Sequence, residues 1–434
     1  MAEHDAHRTI AAIWHIEAAS VIGAVARIVR DVGLAEEFAQ DALVAALEHW
    51  PQAGIPDKPG AWLTTAAKRR ALDHLRHEQI AAGKAEDVAR ELDFQHAVAS
   101  DEADAAREAK LDDALRGGVG DDVLRLIFTA CHPVLPPEAR CALTLRVMGG
   151  LSTDEIARAY LKPEATIAQR IVRAKRSLAA ARVPFEVPRG EALAGRLASV
   201  LEVIYLIFNE GYAATSGSDW MRPALGEEAL RLGRVLAGLM PDEPEVFGLV
   251  ALMEIQASRF AARLSASGEP ILLQDQDRSR WDALLIRRGL LALAHAEALQ
   301  PNAGPYTLQA AIAACHARAA RVEDTDWARI VSLYDTLAQR NPSPVVALNR
   351  AVAFSMAYGP ADALPLVDAL PLVDALQADP ALQAYHLLPA VRGDLLERLG
   401  RLAEAAAAFE HAASLARNQR ERTLLQARAA RCRG

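Results

Sequence analysis

The side chains with chemistry to offer a partner are basic, and they are grouped. Between Arg140 and Arg182 nine Lys or Arg stand against three Asp or Glu, a local charge of +6 in a chain whose net charge is −8. Nucleic-acid affinity comes from such local neutralisation of phosphates. Within this stretch Arg170, Arg173, Lys175 and Arg176 flank a small, polar helical face of Ala165, Ala168, Gln169 and Val172. That face fits a major groove between phosphates. The same residues would also serve an amphipathic hairpin with a solvated basic side. A second basic group, Lys68, Arg69, Arg70 and Arg76, follows Trp62. It could track a nucleic-acid backbone while the indole stacks on a base, or the indole could belong to a core with the charges solvated. Covalent chemistry has no comparable signature. The sequence holds no phosphate-binding glycine loop of the P-loop type, no HExxH, no G-x-S-x-G and no dinucleotide fingerprint. Cys131 and His132 are adjacent, but neighbours on a helix point apart. No second pair stands at zinc spacing, so no metal, cofactor or enzymatic activity is expected.

The elements that must position these residues are helices. Leu151–Leu178 reads as a helix-turn-helix. Ser152 followed by Glu155 has the capping-box spacing, and the first helix runs out near Tyr160. Lys162-Pro163 restarts the chain, with proline suited to a first helical position. Ile167, Ile171, Ala174 and Leu178 then repeat at helical spacing and face a core. Upstream, Ile10–Arg30 and Leu34–Trp50 read as helices separated by a break at Asp31-Val32-Gly33. Glu36, Glu37 and Asp41 sit in the first half of the second, the end that favours acids. Pro51–Gly60, with three prolines and two glycines, reads as a loop, and Ala61–Gln79 as the basic helix behind Trp62. Glu86–Asp113 carries ten acidic residues against three basic ones and reads as a linker.

A chain of 434 residues, 52% hydrophobic but only 5% aromatic, fits two to four mostly helical domains. The four cysteines are scattered without a CxxC pair, which suits thiols in a reducing cytosol. No signal peptide and no apolar run long enough for a bilayer is read from the sequence, so a cytoplasmic, membrane-free protein is expected.

Assembled, these pieces carry a resemblance. DVGLAEEFAQDALVAALEHW (Asp31–Trp50) followed by AWLTTAAKRRALDHLR resembles conserved region 2 of bacterial sigma factors. LPPEARCALTLRVMGGLSTDEIARAYLKPEATIAQRIVRAKRSL resembles their region 4. With no domain between them, the order resembles the extracytoplasmic-function class, over roughly Ile10–Ala181. The resemblance implies an all-α fold: a region 2 module (1–80), an acidic linker (81–121), a region 4 helix-turn-helix module (122–182) and a helical extension (183–434). It implies that core RNA polymerase is bound through its β′ clamp helices and β flap, with Glu36, Glu37, Gln40 and Asp41 on the clamp-docking surface. It places Pro51–Gly60 and Trp62–Arg76 on the elements that melt and read the minus-ten element of promoter DNA. Asp73, Leu75 and Arg76 fall on that pattern, while Arg69 stands where an asparagine is usual. Thr166, Ile167, Arg170, Arg173 and Ala174 match the helix that reads the minus-thirty-five element. Leu161 replaces a common glycine and Pro163 a common serine cap, so the turn is expected to take another backbone path.

After the proline-punctuated linker Val183–Pro188 the chain continues as helices for nearly 250 residues. YLIFNEGYAATSG (Tyr205–Gly217) reads as an apolar helix ending in a small-residue loop, either a contact site or a structural cap. Gly393, Gly400, Ala405, Phe409 and Ala412 stand where a tetratricopeptide helix pair has its small and aromatic positions, and Asn341–Leu364 is a weaker copy. The tandem ALPLVD of Ala363–Asp368 and Ala369–Asp374 reads as a local duplication. In the sigma group such an extension is thought to regulate the sigma module, and an intramolecular contact with it is expected. The competing reading is a ligand- or partner-sensing helix-turn-helix activator, which would not need Asp31–Arg76.

Overall fold

The computed structural model describes residues 2–90, 119–160, 162–214, 220–265, 268–368 and 386–434. Eighteen α-helices and three short 3-10 turns are found among them, with no strand. The chain divides into two units, Met1–Val203 and Ile204–Gly434.

The first unit is built on α1 (Ala2–Val29). Ile10, Trp14, Ala18, Val21, Ile22 and Val25 of α1 are buried. They pack against α2 (Val32–Ala53), α3 (Pro59–Arg90) and α4 (Val119–Ala130). On α2 the small side chains Ala35, Ala39, Ala42 and Ala46 recur at helical spacing with no exposed surface, which lets α1 approach closely. α1 is long and apolar enough to cross a membrane by length and composition, contrary to the expectation from sequence. More than half of that window is buried within the unit, because its apolar stripe is the core of the bundle. α5 (Pro137–Val147), α6 (Thr153–Tyr160) and α7 (Glu164–Ala180) complete the unit with the first half of α8 (Glu191–Tyr212).

The Ser152 amide donates to Glu155 Oε2 at 2.7 Å and the Glu155 amide to Ser152 Oγ at 3.1 Å, the reciprocal capping box. Ile167, Ile171, Ala174 and Leu178 are the buried residues of α7. Pro163 precedes α7 as its cap residue, and Leu161 lies outside the described residues. The chain breaks between α1 and α2 through Arg30 at φ +57, a conformation costing a side-chain-bearing residue about 1–2 kcal/mol. Asp31 then caps α2, accepting from the Leu34 amide at 2.9 Å. Of the helix boundaries that differ from the sequence reading, two involve the segments around α2 and α3 most. Pro51 lies inside the last turn of α2, and the helix stops at Gly54, whose φ of +87 suits glycine. α3 runs on to Arg90, into the segment read as linker, and residues 91–118 lie outside the described residues.

The second unit is centred on α10 (Pro244–Ala257), of which ten residues are buried. A helix buried all round is a core helix; here α9 (Pro223–Leu239), α11 (Ala283–Leu299) and α12 (Pro305–Arg318) surround it. The three 3-10 turns Phe260–Ala262, Leu273–Asp275 and Arg278–Arg280 follow α10. Helix pairs continue through α13 (Trp327–Arg340), α14 (Pro344–Tyr358), α15 (Pro360–Asp368), α16 (Leu387–Arg398), α17 (Leu402–Leu415) and α18 (Gln419–Arg431). Gly393 lets α16 meet the fully buried Phe409 of α17, where a Cβ would come within 2.8 Å of the ring. The first ALPLVD copy, Ala363–Asp368, is in α15; the second lies outside the described residues.

Candidate nucleic-acid and polymerase interface

The residues expected to act on DNA fall into outward and inward groups. On α7, Thr166, Gln169, Arg173 and Arg176 are exposed, Ala168 and Arg170 half-buried, and Val172 is 44% exposed. This row is the helix face opposite the buried Ile167–Ile171–Ala174–Leu178 stripe. Lys175 departs from it. Its ammonium is bonded to the Glu36 carboxylate of α2. Arg146 of α5 donates to the other oxygen of Glu36 at 2.8 Å. Glu36 is only 5% exposed, so this carboxylate is largely desolvated and held by two cations.

On α3, Arg69 and Arg76 are exposed, and Arg76 is 3.3 Å from Asp73. Arg70 lies 3.9 Å from Asp41. Lys68 is turned toward α1 and α4. Burial and the nearby Arg27 hold its ammonium below the usual lysine range, with Asp122 opposing them. Asp122 is itself buried and paired with Arg27 at 3.3 Å and Arg125 at 2.8 Å. Trp62 is half-buried, edge-on to the buried Trp50 at 5.3 Å and stacked near His49 at 6.5 Å. One edge of the indole therefore belongs to the core while part of it stays open. Among the polymerase candidates Glu37 and Asp41 are exposed, Gln40 is half-buried and Glu36 is covered.

Region 2 and region 4 elements touch at further points. His15 Nδ1 is 2.9 Å from the Gly149 carbonyl, and Gly150, at φ +65, lies against Trp14 and Ala18. A cleft of about 890 Å³ opens between the α1–α2 junction and the end of α7. Arg27, Arg30, Arg125, Lys175 and Arg182 line it with Asp31 and Glu186. Sequence reasoning singled out neither Arg146 nor these cleft arginines, because they come from separate helices and share no spacing. α8 adds a third set of contacts. Arg196 donates to the Phe128 carbonyl at 2.6 Å, Ser199 to the Cys131 carbonyl at 2.6 Å, and Arg140 pairs with Glu202 at 2.9 Å. The Cys131 thiol is buried, 3.4 Å from Thr144 Oγ1, and pushed up to about 11 by desolvation, so it stays protonated.

Comparison with known proteins bears on this geometry. Residues 17–80 match the family model for sigma-70 region 2 and residues 125–178 that for sigma-70 region 4. These are the modules carrying α2–α3 and α4–α7, and they define a two-module sigma-70-type protein. The chain belongs to the ECF RNA polymerase sigma factors. The ECF RNA polymerase sigma factor SigK of Mycobacterium ulcerans is 32% identical over 36% of this chain and 77% of its own length. The probable ECF RNA polymerase sigma factor SigI of Mycobacterium tuberculosis is 28% identical over 43% of this chain and 59% of its length. An uncharacterised protein of Rhizobium meliloti is 43% identical over 92% of this chain and 90% of its length, and so shares the extension as well. Residues 196–297 match a family of unknown function. No solved structure matches the chain. As a sigma factor the protein binds core RNA polymerase and promoter DNA and directs promoter-specific initiation of transcription.

Proposed function

We propose that the protein docks on the β′ clamp helices through the open side of α2, with Glu37, Gln40 and Asp41, and on the β flap through its region 4 module. Arg69, Arg76 and the open edge of Trp62 then take the minus-ten element, and Thr166, Ala168, Gln169, Arg170, Arg173 and Arg176 the minus-thirty-five element. The observation that carries this reading further is the Glu36 carboxylate held by both Arg146 and Lys175. It joins a residue of the clamp-docking surface to one of the promoter-reading helix. The form described is thus a closed one, and engagement of polymerase frees Glu36 for the clamp and Lys175, with Lys68, Arg69 and Arg70, for phosphates.

The extension, read as a tetratricopeptide-like array, regulates the sigma modules in the cytoplasm. The bonds from Arg196, Ser199 and Glu202 to Phe128, Cys131 and Arg140 support this, since they tie the start of the extension to region 4. The test is run-off transcription from reconstituted holoenzyme. Arg170→Ala with Arg173→Ala is expected to weaken promoter binding and to lower the salt slope by roughly 2, one unit per lost phosphate contact. Unchanged promoter-directed transcription and an unchanged slope would remove α7 from this role.

A further inference from the structure

We propose that the extension holds a binding site for a small organic anion, with a carboxylate or phosphate head on Arg259 and an aromatic or apolar body against Tyr205, Trp281 and Tyr334. These four residues, with His316 and Gln309, line a cavity of about 240 Å³ in the second unit. A neighbouring cavity of about 260 Å³ shares Leu273 and His316 with it.

Three arginines converge beside the first cavity. Arg259 donates to the Tyr212 hydroxyl, and its guanidinium lies 5.7 Å from the Trp281 ring. Arg263, only 6% exposed, donates to the Tyr212 carbonyl at 2.7 Å and covers the Tyr212 ring at 3.5 Å. Arg278 donates to the carbonyls of His316 and Ala319 at 2.7 and 2.6 Å. All the partners of Arg259 and Arg263 among the described residues are neutral. The carboxylates of Glu323 and Asp324 act on Arg278.

Elsewhere this unit pairs its buried charges. Glu254 has Arg234 at 2.9 Å and Arg288 at 3.4 Å, Glu210 has Arg222, and Arg428 has Asp394 at 2.8 Å. An arginine does not shed its proton in a protein, so a buried guanidinium without a counter-ion is a standing electrostatic cost. Burial and the charges of Arg263 and Arg278 push Arg259 down to about 9, and burial alone pushes Arg263 to about 9. An anion in the cavity removes that cost.

Hydrogen bonding points the same way. Among the described residues, Arg259 Nε, Trp281 Nε1 and His316 Nδ1 are buried nitrogens without a partner, and all three belong to residues lining this one cavity. Buried polar atoms in folded proteins are normally satisfied. The aromatic walls and the modest volume select a small ligand with an apolar body over a bare inorganic ion.

The test titrates the full-length protein with benzoate, phenyl phosphate and inorganic phosphate, with chloride at equal ionic strength as the baseline. Tryptophan fluorescence and Tm report binding. Benzoate or phenyl phosphate is expected to saturate and to bind at least tenfold tighter than inorganic phosphate. Arg259→Met should weaken that binding at least tenfold while leaving the ligand-free Tm equal or higher, since it removes a charge that no described residue compensates. Trp281→Phe keeps a ring but loses the Nε1 donor, and should weaken binding three- to tenfold. No saturable binding of either aromatic anion would overturn the proposal. So would inorganic phosphate binding as tightly as both, or unchanged affinity in Arg259→Met. If Arg259→Met does not fold, unchanged affinity in Trp281→Phe overturns it. None of these readouts involves transcription, so failure here leaves the sigma reading standing.

Discussion

The Glu36 contact is where a single change should reveal how region 2 and region 4 are held together. Glu36→Gln keeps the shape of the side chain and removes its charge, leaving Arg146 and Lys175 facing an amide. Removing one partner of a fully buried ion pair costs about 3–5 kcal/mol. Here the carboxylate side chain is 6% exposed but the Arg146 and Lys175 side chains are 18% and 21% exposed. Water screens the cations in part, so the expected loss falls to about 2 kcal/mol. At one decade per 1.4 kcal/mol, the closed-to-open ratio drops roughly thirtyfold. The native thiols Cys131, Cys141, Cys315 and Cys432 are all buried, so cysteines introduced at the exposed positions Glu48 on α2 and Ser177 on α7 can be labelled selectively. The urea dependence of energy transfer between the two dyes then gives the opening free energy. Lys175→Met alone should have a smaller effect, because Arg146 still holds the carboxylate. A double-mutant cycle of the two changes should give a coupling on the order of 1–2 kcal/mol. Unchanged energy transfer in Glu36→Gln, or a coupling below about 0.5 kcal/mol, would refute the closed-form reasoning.

Two predictions concern the second unit. His316 is pushed down to about 4, first by burial and then by Arg259 and Arg278. Above pH 6.5 the ring is neutral both folded and unfolded; as pH falls from 6.5 toward 4 the unfolded chain gains a proton that the folded one resists, so stability is lost by on the order of 3 kcal/mol. His316→Gln should flatten that part of the Tm–pH profile, and an unchanged profile would dismiss the assignment. Gly211 of α8 faces Gly226 of α9 so closely that an added Cβ would collide with the Gly226 backbone nitrogen. Gly211→Ala should therefore destabilise the unit by about 1–3 kcal/mol, as overpacking does, and an undiminished urea midpoint would show that the helices can part at no cost.

Gly211 also settles how Tyr205–Gly217 is built in its described part. Glu210 pairs with Arg222, Gly211 admits α9, and Tyr212 is covered by Arg263. The sequence showed an odd small-residue loop there; its partners lie in segments that no local pattern connects. The helix boundaries differed for a related reason. Pro51 reads locally as a breaker, but it stands in the last turn of α2, where its missing amide removes a single bond to the carbonyl four residues back and the helix ends at Ala53.

What the sequence determined by itself was whatever depends on neighbours within a turn or two. The Ser152–Glu155 box, the Ile167–Leu178 stripe and the close approach of Gly393 to Phe409 are set by helical spacing. The two sigma motifs and their order were legible through their resemblance to a known family, not through spacing alone. Tertiary structure alone decided which polar groups distant in sequence meet. Lys175 looked like one more outward cation, yet its partner Glu36 is 139 residues away. Arg259 precedes one 3-10 turn, Trp281 follows another and His316 is in α12, and they share no spacing that would join them. Helical periodicity fixes which side of a helix is buried; what a charge finds on that side depends on how the helices are assembled.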